Sequence, residues 1–272
     1  MKASPPQQAQ ASPRQTALIT GASSGIGAAM ARLFASKGYE LALVARTEPA
    51  LQALADELHA AHGVPVTVVP QDLAQPGAAP AIFEALQRAS VTVDVLVNNA
   101  GYASYGPFAE ADLGNELDEM RVNMLALTAL TRLFLPGMVE RGRGGVLNVA
   151  STAAFQPGPG MAVYFASKAF VLSFSEALAY EVRGAGVHVT ALCPGGTRSA
   201  FFDRANMQNS RFIRGHLMDP MMVARAGYEG LRHGRPVVIP GTWNRFLAWS
   251  TRLFPRRVVT SVSARLTTPV TA

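Results

Sequence analysis

Cysteine is almost missing from this chain. One residue, Cys193, stands among 272, which excludes an internal disulfide framework and any multi-cysteine zinc or iron–sulfur site. At the end of an apolar run it reads as a buried, inert thiol. A lone thiol suits a reducing compartment, so a cytoplasmic protein is expected. The histidines (His59, His62, His188, His216, His233) form no H-x-x-x-H pair, and no metal site is expected. Long apolar runs are missing as well: none approaches the roughly 18 residues of a membrane span. The opening stretch MKASPPQQAQASPRQ has no apolar core, so residues 1–15 read as a flexible extension and not as a signal peptide.

Charge is sparse and unevenly placed. Charged side chains make up 15% of the chain against 49% hydrophobic ones, with a net charge of +6 and a mean hydropathy of +0.17. That balance excludes disorder as the main state, because there is ample apolar surface to offset chain entropy. Five arginines (Arg245, Arg252, Arg256, Arg257, Arg265) fall between 241 and 272, where no acid occurs, leaving the rest near +1. A nucleic-acid binder would carry a basic groove with aromatic stacking platforms. Here the basic residues gather in one terminal segment, and no nucleic-acid partner is expected. Lysine occurs only as Lys2, Lys37 and Lys168, which makes Lys168 conspicuous.

What is present is an alternation of short aliphatic runs and longer amphipathic stretches. The strand candidates are Ala17–Thr20, Leu41–Ala45, Val64–Val69, Val93–Asn98, Gly145–Ser151, Val187–Cys193 and Pro236–Ile239. Helical spacing marks Gly25–Lys37, Glu48–Ala61, Asn115–Arg141 and Ala162–Arg183. Strands apolar throughout are buried on both faces, which implies a doubly wound α/β fold with a parallel sheet of seven strands between helix layers. No Pro/Gly/Ser-rich linker divides the chain. One domain over 16–240 is expected, followed by a basic amphipathic extension over 241–272.

The first strand runs into Thr20-Gly21-Ala22-Ser23-Ser24-Gly25-Ile26-Gly27 and then a helix. Glycines here let the backbone approach a pyrophosphate seated at the helix N-terminus. A tight strand-to-helix turn with no ligand is the plainer alternative. After the second strand comes Arg46 with no acid at 44–47; an acid would hold a ribose 2′-hydroxyl, whereas an arginine accommodates a 2′-phosphate. Asn98-Asn99-Ala100-Gly101 ends the fourth strand, where amides support a flat ring and lock neighbouring strands, or simply form an Asx turn. Ser151 ends the fifth, as a site hydroxyl or a helix cap. Tyr164 and Lys168 are four apart, so a helix stacks phenol and ammonium on one face, and a nearby cation favours the ionised phenol. Asn123 is a polar residue among apolar helical neighbours.

These motifs, in this order, resemble the short-chain dehydrogenase/reductase superfamily, in its single-domain branch of about 250 residues. The resemblance spans about 16–240 and includes Pro194-Gly195 after the sixth strand. It implies a Rossmann fold, a three-layer α/β/α sandwich, and an oxidoreductase interconverting a carbonyl compound and an alcohol. It implies Tyr164 as general acid/base, Lys168 lowering its pKa and holding the nicotinamide ribose, Ser151 orienting the substrate, and Asn123 positioning a relay water. Cofactor contacts are implied at Gly21, Ser23, Ser24, Gly25, Ile26, Gly27, Arg46, Asp72, Leu73, Asn99, Ala100, Gly101, Tyr164, Lys168, Pro194, Gly195, Thr197 and Ser199. NADP(H) is expected over NAD(H), on Arg46. Ser199 stands where the family has threonine.

The segment 199–228 (Phe201, Phe202, Met207, Phe212, Met218, Met221, Met222) reads as helix packing or as an apolar substrate cover, the latter favouring a lipophilic carbonyl. The helices 115–141 and 162–183 resemble the family's subunit interface, so a homodimer or homotetramer is expected. The apolar residues of the tail, from Trp243 onward, are expected to pack on the domain or cover its pocket, with Pro255 breaking any helix there. Two other readings stand beside the reductase. One is a non-catalytic dinucleotide-binding sensor; the other is a lipid carbonyl reductase held at a membrane surface by the arginine-rich tail.

Overall fold

Strands without a polar face need cover on both sides, and the computed structural model supplies it. It describes residues 14–199, 201 and 217–267. The lead-in up to residue 13, and Phe202, Met207 and Phe212 of the expected cover, lie outside the described residues. Seven strands form one sheet: β1 Thr16–Thr20, β2 Glu40–Ala45, β3 Val66–Pro70, β4 Val95–Asn98, β5 Gly144–Val149, β6 Val187–Leu192 and β7 Val237–Val238. Their order is β3-β2-β1-β4-β5-β6-β7 and every pairing is parallel. The winding reverses between β1 and β4, which opens a crevice at the strands' C-terminal ends.

Side chains alternate across the sheet. Ile19, Leu41, Leu43, Val97 and Leu147 meet α1 (Gly25–Ser36), α2 (Glu48–His62) and α7 (Pro220–Arg232) through Met30, Phe34, Leu51, Leu58 and Val223. Leu18, Ala42, Val44, Leu96 and Val146 meet α3 (Ala78–Arg88) and α5 (Leu127–Glu140) through Ile82, Leu86, Leu130, Phe134 and Met138. A fully buried large aliphatic side chain contributes roughly 1.5–3 kcal/mol, so these two layers hold the sheet from both sides. The helix α6 (Ala162–Glu181) lies on the second face, with Val171 fully buried.

Several elements differ from the sequence reading. The helix expected over 115–141 is α4 (Leu113–Met120), a π-helical turn (Arg121–Ala126) and then α5. Leu113–Glu140 and Ala162–Glu181 are long and apolar enough to cross a membrane by length and composition, yet both are layers of the domain. Strand β7 shrinks to two residues, since Pro236 has no N–H to offer a ladder. The tail forms α8 (Thr242–Ser250) and α9 (Arg256–Thr267), broken at Pro255, whose carbonyl accepts from Val258 and Val259 at 2.9 and 3.2 Å. Its apolar residues do not pack on the domain as expected: Trp243, Phe246, Trp249 and Phe254 are all exposed.

Candidate active site

The crevice begins at the glycine turn. Gly21 and Gly25 hold φ of +64° and +55°, a region that side chains rarely adopt. A Cβ on Gly21 would lie 2.9 Å from Ala100 Cα, and one on Gly27 would lie 2.2 Å from the Gly21 carbonyl oxygen. Gly27 therefore faces the turn and not the crevice; it lets α1 close on the strand end. Thr20 Oγ1 accepts from the Asn99 and Ala100 amides at 3.0 Å each, while Asn99 Nδ2 donates to Thr20 O at 2.9 Å. Asn98 Nδ2 donates to Asn148 Oδ1 at 2.9 Å and Thr131 Oγ1 at 3.0 Å. The Asn98–Gly101 motif thus locks β1, β4 and β5 together.

The start of α1 suits an anion. Ser24 makes no side-chain capping bond and the first turn carries no acid, so the positive helix end is neither capped by a hydroxyl nor neutralised. Arg46, just past β2, is exposed. It forms no ion pair among the described residues. Asp72 Oδ1 accepts from Ala74 N at 3.0 Å. Of the residues implicated by sequence, all but Gly27 and Asn123 line one cavity of about 490 Å³. Thr197 Oγ1 donates to Gly195 O at 2.9 Å, and Ser199 lies against Gly25, its Cβ 2.8 Å from where a Gly25 side chain would start. Both residues border the cavity, so the departure from threonine leaves a hydroxyl on each side of Arg198.

At the β5 end of the crevice Ser151, Tyr164 and Lys168 come together. Ser151 is both things that the sequence allowed: it caps a short helical turn, accepting from Ala153 N at 3.1 Å, and its hydroxyl borders the cavity. Lys168 Nζ is buried, donates to Val149 O at 2.8 Å and lies 5.7 Å from the centre of the Tyr164 ring. Burial lowers the ammonium to about 8. Burial also pushes the Tyr164 phenol up to about 12, while hydrogen bonding with Ser151 pulls it down and the Glu119 charge adds to the rise. The expected lowering of the phenol by Lys168 is not what acts at this corner: loss of solvent dominates, and the lowering influence comes from Ser151. At neutral pH Tyr164 keeps its proton.

Asn123 stands one layer behind. Its Nδ2 donates to Tyr102 O and Ser167 Oγ at 3.0 Å each, and its Oδ1 accepts from Tyr102 N at 3.2 Å. What the side chain holds is the segment that follows Gly101. A π-helical turn carries it, a feature that recurs at functional sites. Sequence reasoning missed Glu119, whose Oε2 accepts from Ser104 N at 2.7 Å. The residue is fully buried and its Oε1 has no hydrogen-bond partner among the described residues. Burial raises this carboxyl to about 7. In the sequence no local pattern separates it from Glu116 and Asp118.

A parallel sheet with an uncapped helix end at its switch point, beside a Ser–Tyr–Lys corner, defines the class of dinucleotide-binding doubly wound proteins. The chain belongs to the short chain dehydrogenase family, whose model matches residues 15–210. A short chain dehydrogenase of Pseudocercospora fijiensis is 41% identical over 189 residues, 68% of this chain and 60% of that one. The chain thus spans about three fifths of the length of that curated relative. A short-chain dehydrogenase from Sphingobium yanoikuyae, solved in complex with NADPH, is 34% identical with a TM-score of 0.79, covering 88% of this chain and 94% of that one. One from Burkholderia phymatum, solved in complex with NAD, is 27% identical with a TM-score of 0.80, covering 95% and 98%.

Proposed function

We propose that this protein is an oxidoreductase that interconverts a lipophilic carbonyl compound and its alcohol, using NADP(H) in preference to NAD(H). The observation that carries the reading is the convergence of Ser151, Tyr164 and Lys168 on the cavity that the glycine turn opens. The cavity fits a dinucleotide: the turn has no room for side chains at Gly21, the α1 end is free for phosphate, and Arg46 has no carboxylate partner among the described residues. When bound, such a cofactor supplies the hydride or takes it back.

The chain's own residues handle the oxygen. Tyr164, protonated at neutral pH, gives its proton to the carbonyl oxygen as charge develops there, the task of a general acid. Ser151 accepts from Ala153 N, so its single hydrogen serves the phenol or the same substrate oxygen. Lys168 spends one N–H on Val149 O. Lys168 borders the cavity beside Gly101, where ribose hydroxyls are suitable acceptors for its remaining hydrogens. Asn123 and Glu119 fix the 102–104 segment that borders the substrate.

The apolar substrate preference rests on the cluster at that end, where Ala103, Met161 and Phe165 are buried and Tyr105, Tyr164, Phe201 and Leu217 pack against them. Association of like chains through α4–α5 and α6 accounts for Leu125 and Tyr180, exposed by 61% and 65%. A panel of lipophilic ketones and aldehydes, followed by NADPH absorbance, tests the function. Turnover that vanishes in Tyr164→Phe is the expected result. Tight NADPH binding with no turnover on any carbonyl would favour the sensor reading.

A further inference from the structure

The tail is built inside out. On α8 the residues turned to the domain are Asn244 and Ala248; Asn244 Nδ2 donates to Pro240 O at 2.8 Å, and Ala248 is buried. The opposite side presents Trp243, Phe246 and Leu247, with Trp249 beside them, and the Trp243 and Phe246 rings stack at 5.5 Å. On α9 the buried positions among those described are Ser263 and Thr267, four apart on one face, whereas Val258 and Val262 face outward. Leu253 and Phe254, between the helices, are exposed too. These eight outward side chains are 44% to 67% exposed. A soluble helix normally does the reverse, because burying apolar surface stabilises it and burying hydroxyls does not.

The charges on this face have one sign. Arg245, Arg252, Arg256, Arg257 and Arg265 interleave with the apolar residues, no acid occurs from 241 to 272, and none of the five forms an ion pair among the described residues. Arginine can bury its stem in an apolar layer while its head stays with anions. Aromatic and aliphatic side chains mixed with cations, on helices lying along a surface, match the boundary between anionic headgroups and acyl chains. A second copy fits worse: a two-fold contact would set the same patch on both sides, arginines against arginines.

We propose that the outer face of 242–267 is a docking surface for an anionic lipid bilayer, and that it sets the substrate end of the crevice beside that bilayer. The second half follows from how the tail is tied down. Thr267 Oγ1 donates to Pro159 O at 2.7 Å, and Tyr105 Oη donates to the Thr267 carbonyl. Tyr105 belongs to the apolar cluster around Tyr164, so the last turn of α9 is fastened to the substrate side and not to the cofactor side. Docking is independent of whether the protein reduces carbonyls.

The chain offers its own probe, since Trp243 and Trp249 are its only two tryptophans. The full-length protein is mixed at low salt with vesicles of phosphatidylcholine plus phosphatidylglycerol, and with vesicles of phosphatidylcholine alone. We expect flotation with the mixed vesicles and a blue shift of tryptophan emission, both weakened by added salt. Arg256→Gln with Arg257→Gln should lower partitioning about 25-fold, at about fivefold per arginine. No flotation and no shift with mixed vesicles at low salt overturns the proposal. So does equal capture by both kinds of vesicle. So does a blue shift produced by concentrating the protein without lipid as its mass doubles in light scattering, which assigns the face to a second copy.

Discussion

The two ends of the crevice are made differently. At the cofactor end Thr20, Gly21 and Asn99 sit in short motifs at neighbouring strand ends, and Asn99 meets Thr20 from 79 residues away. At the substrate end Tyr105 meets Thr267 from 162 residues away, and Thr267 meets Pro159 from 108 away. The first end is assembled from strand edges that the sheet has already brought together. The second depends on the tail reaching back across the domain. A core-built site holds its geometry for as long as the domain is folded, while a site closed by a remote segment can be altered without unfolding it.

The contrast sets effects of graded size. The largest belongs to the point where the ends meet. Tyr164→Phe should lower kcat by at least ~10²-fold, the low end of what lost acid/base help costs, with NADPH affinity unchanged in titration calorimetry. Wild-type turnover in that variant would remove Tyr164 from its role.

Next comes Glu119, behind the substrate segment. Its carboxyl is held at about 7 in the fold, above the ordinary 4.5, so the folded state binds the extra proton between those values. Stability should therefore fall as pH rises through that window, by about 3 kcal/mol in total. Urea melts between about pH 4 and pH 8 should show the fall in the wild type, with this share of it absent from Glu119→Gln. A parallel pH profile in both proteins would contradict the burial argument.

A change at the cofactor end should be smaller and confined there. NADPH should exceed NADH by at least about tenfold in kcat/KM, from one charge-assisted contact at Arg46. Arg46→Asp should erase or invert that ratio without moving the KM for the carbonyl substrate. Equal efficiency with both cofactors in the wild type would sink the assignment. The smallest effect is expected at the tail: Thr267→Val should cost about 1 kcal/mol of stability and raise the substrate KM while leaving the Kd for NADPH alone. Movement of both constants together would mean that the two ends are mechanically one.

The same contrast explains what could be read from the sequence. Strands without polar alternation announced a doubly covered parallel sheet, and Thr20–Gly27, Asn98–Gly101 and Tyr164–Lys168 were legible because each is a local pattern whose geometry a turn or helix sets by itself. Glu119 was not legible, because its burial depends on Ser104 arriving from another segment. Gly27 was legible as a glycine but not for its purpose, which is the approach of α1 to the Gly21 carbonyl. The tail's apolar residues were misjudged on number alone. Their count suggested burial, but α9 turned Thr267 inward, where its hydroxyl donates to Pro159 O, a bond that a valine could not make.

The π-helical turn at Arg121–Ala126 acts as a phase adjuster between two helices that must each face a set direction. Successive residues of an α-helix are separated by about 100° around its axis. The wide turn takes up one residue more than a regular turn, so winding the same residues regularly would rotate α4 by about that angle against α5. Leu130, Phe134 and Met138 would hold α5 on the sheet, so the rotation would fall on Glu119, which would swing away from the Ser104 amide. The wide turn is what allows a helix anchored in the core to aim a second set of side chains at the crevice.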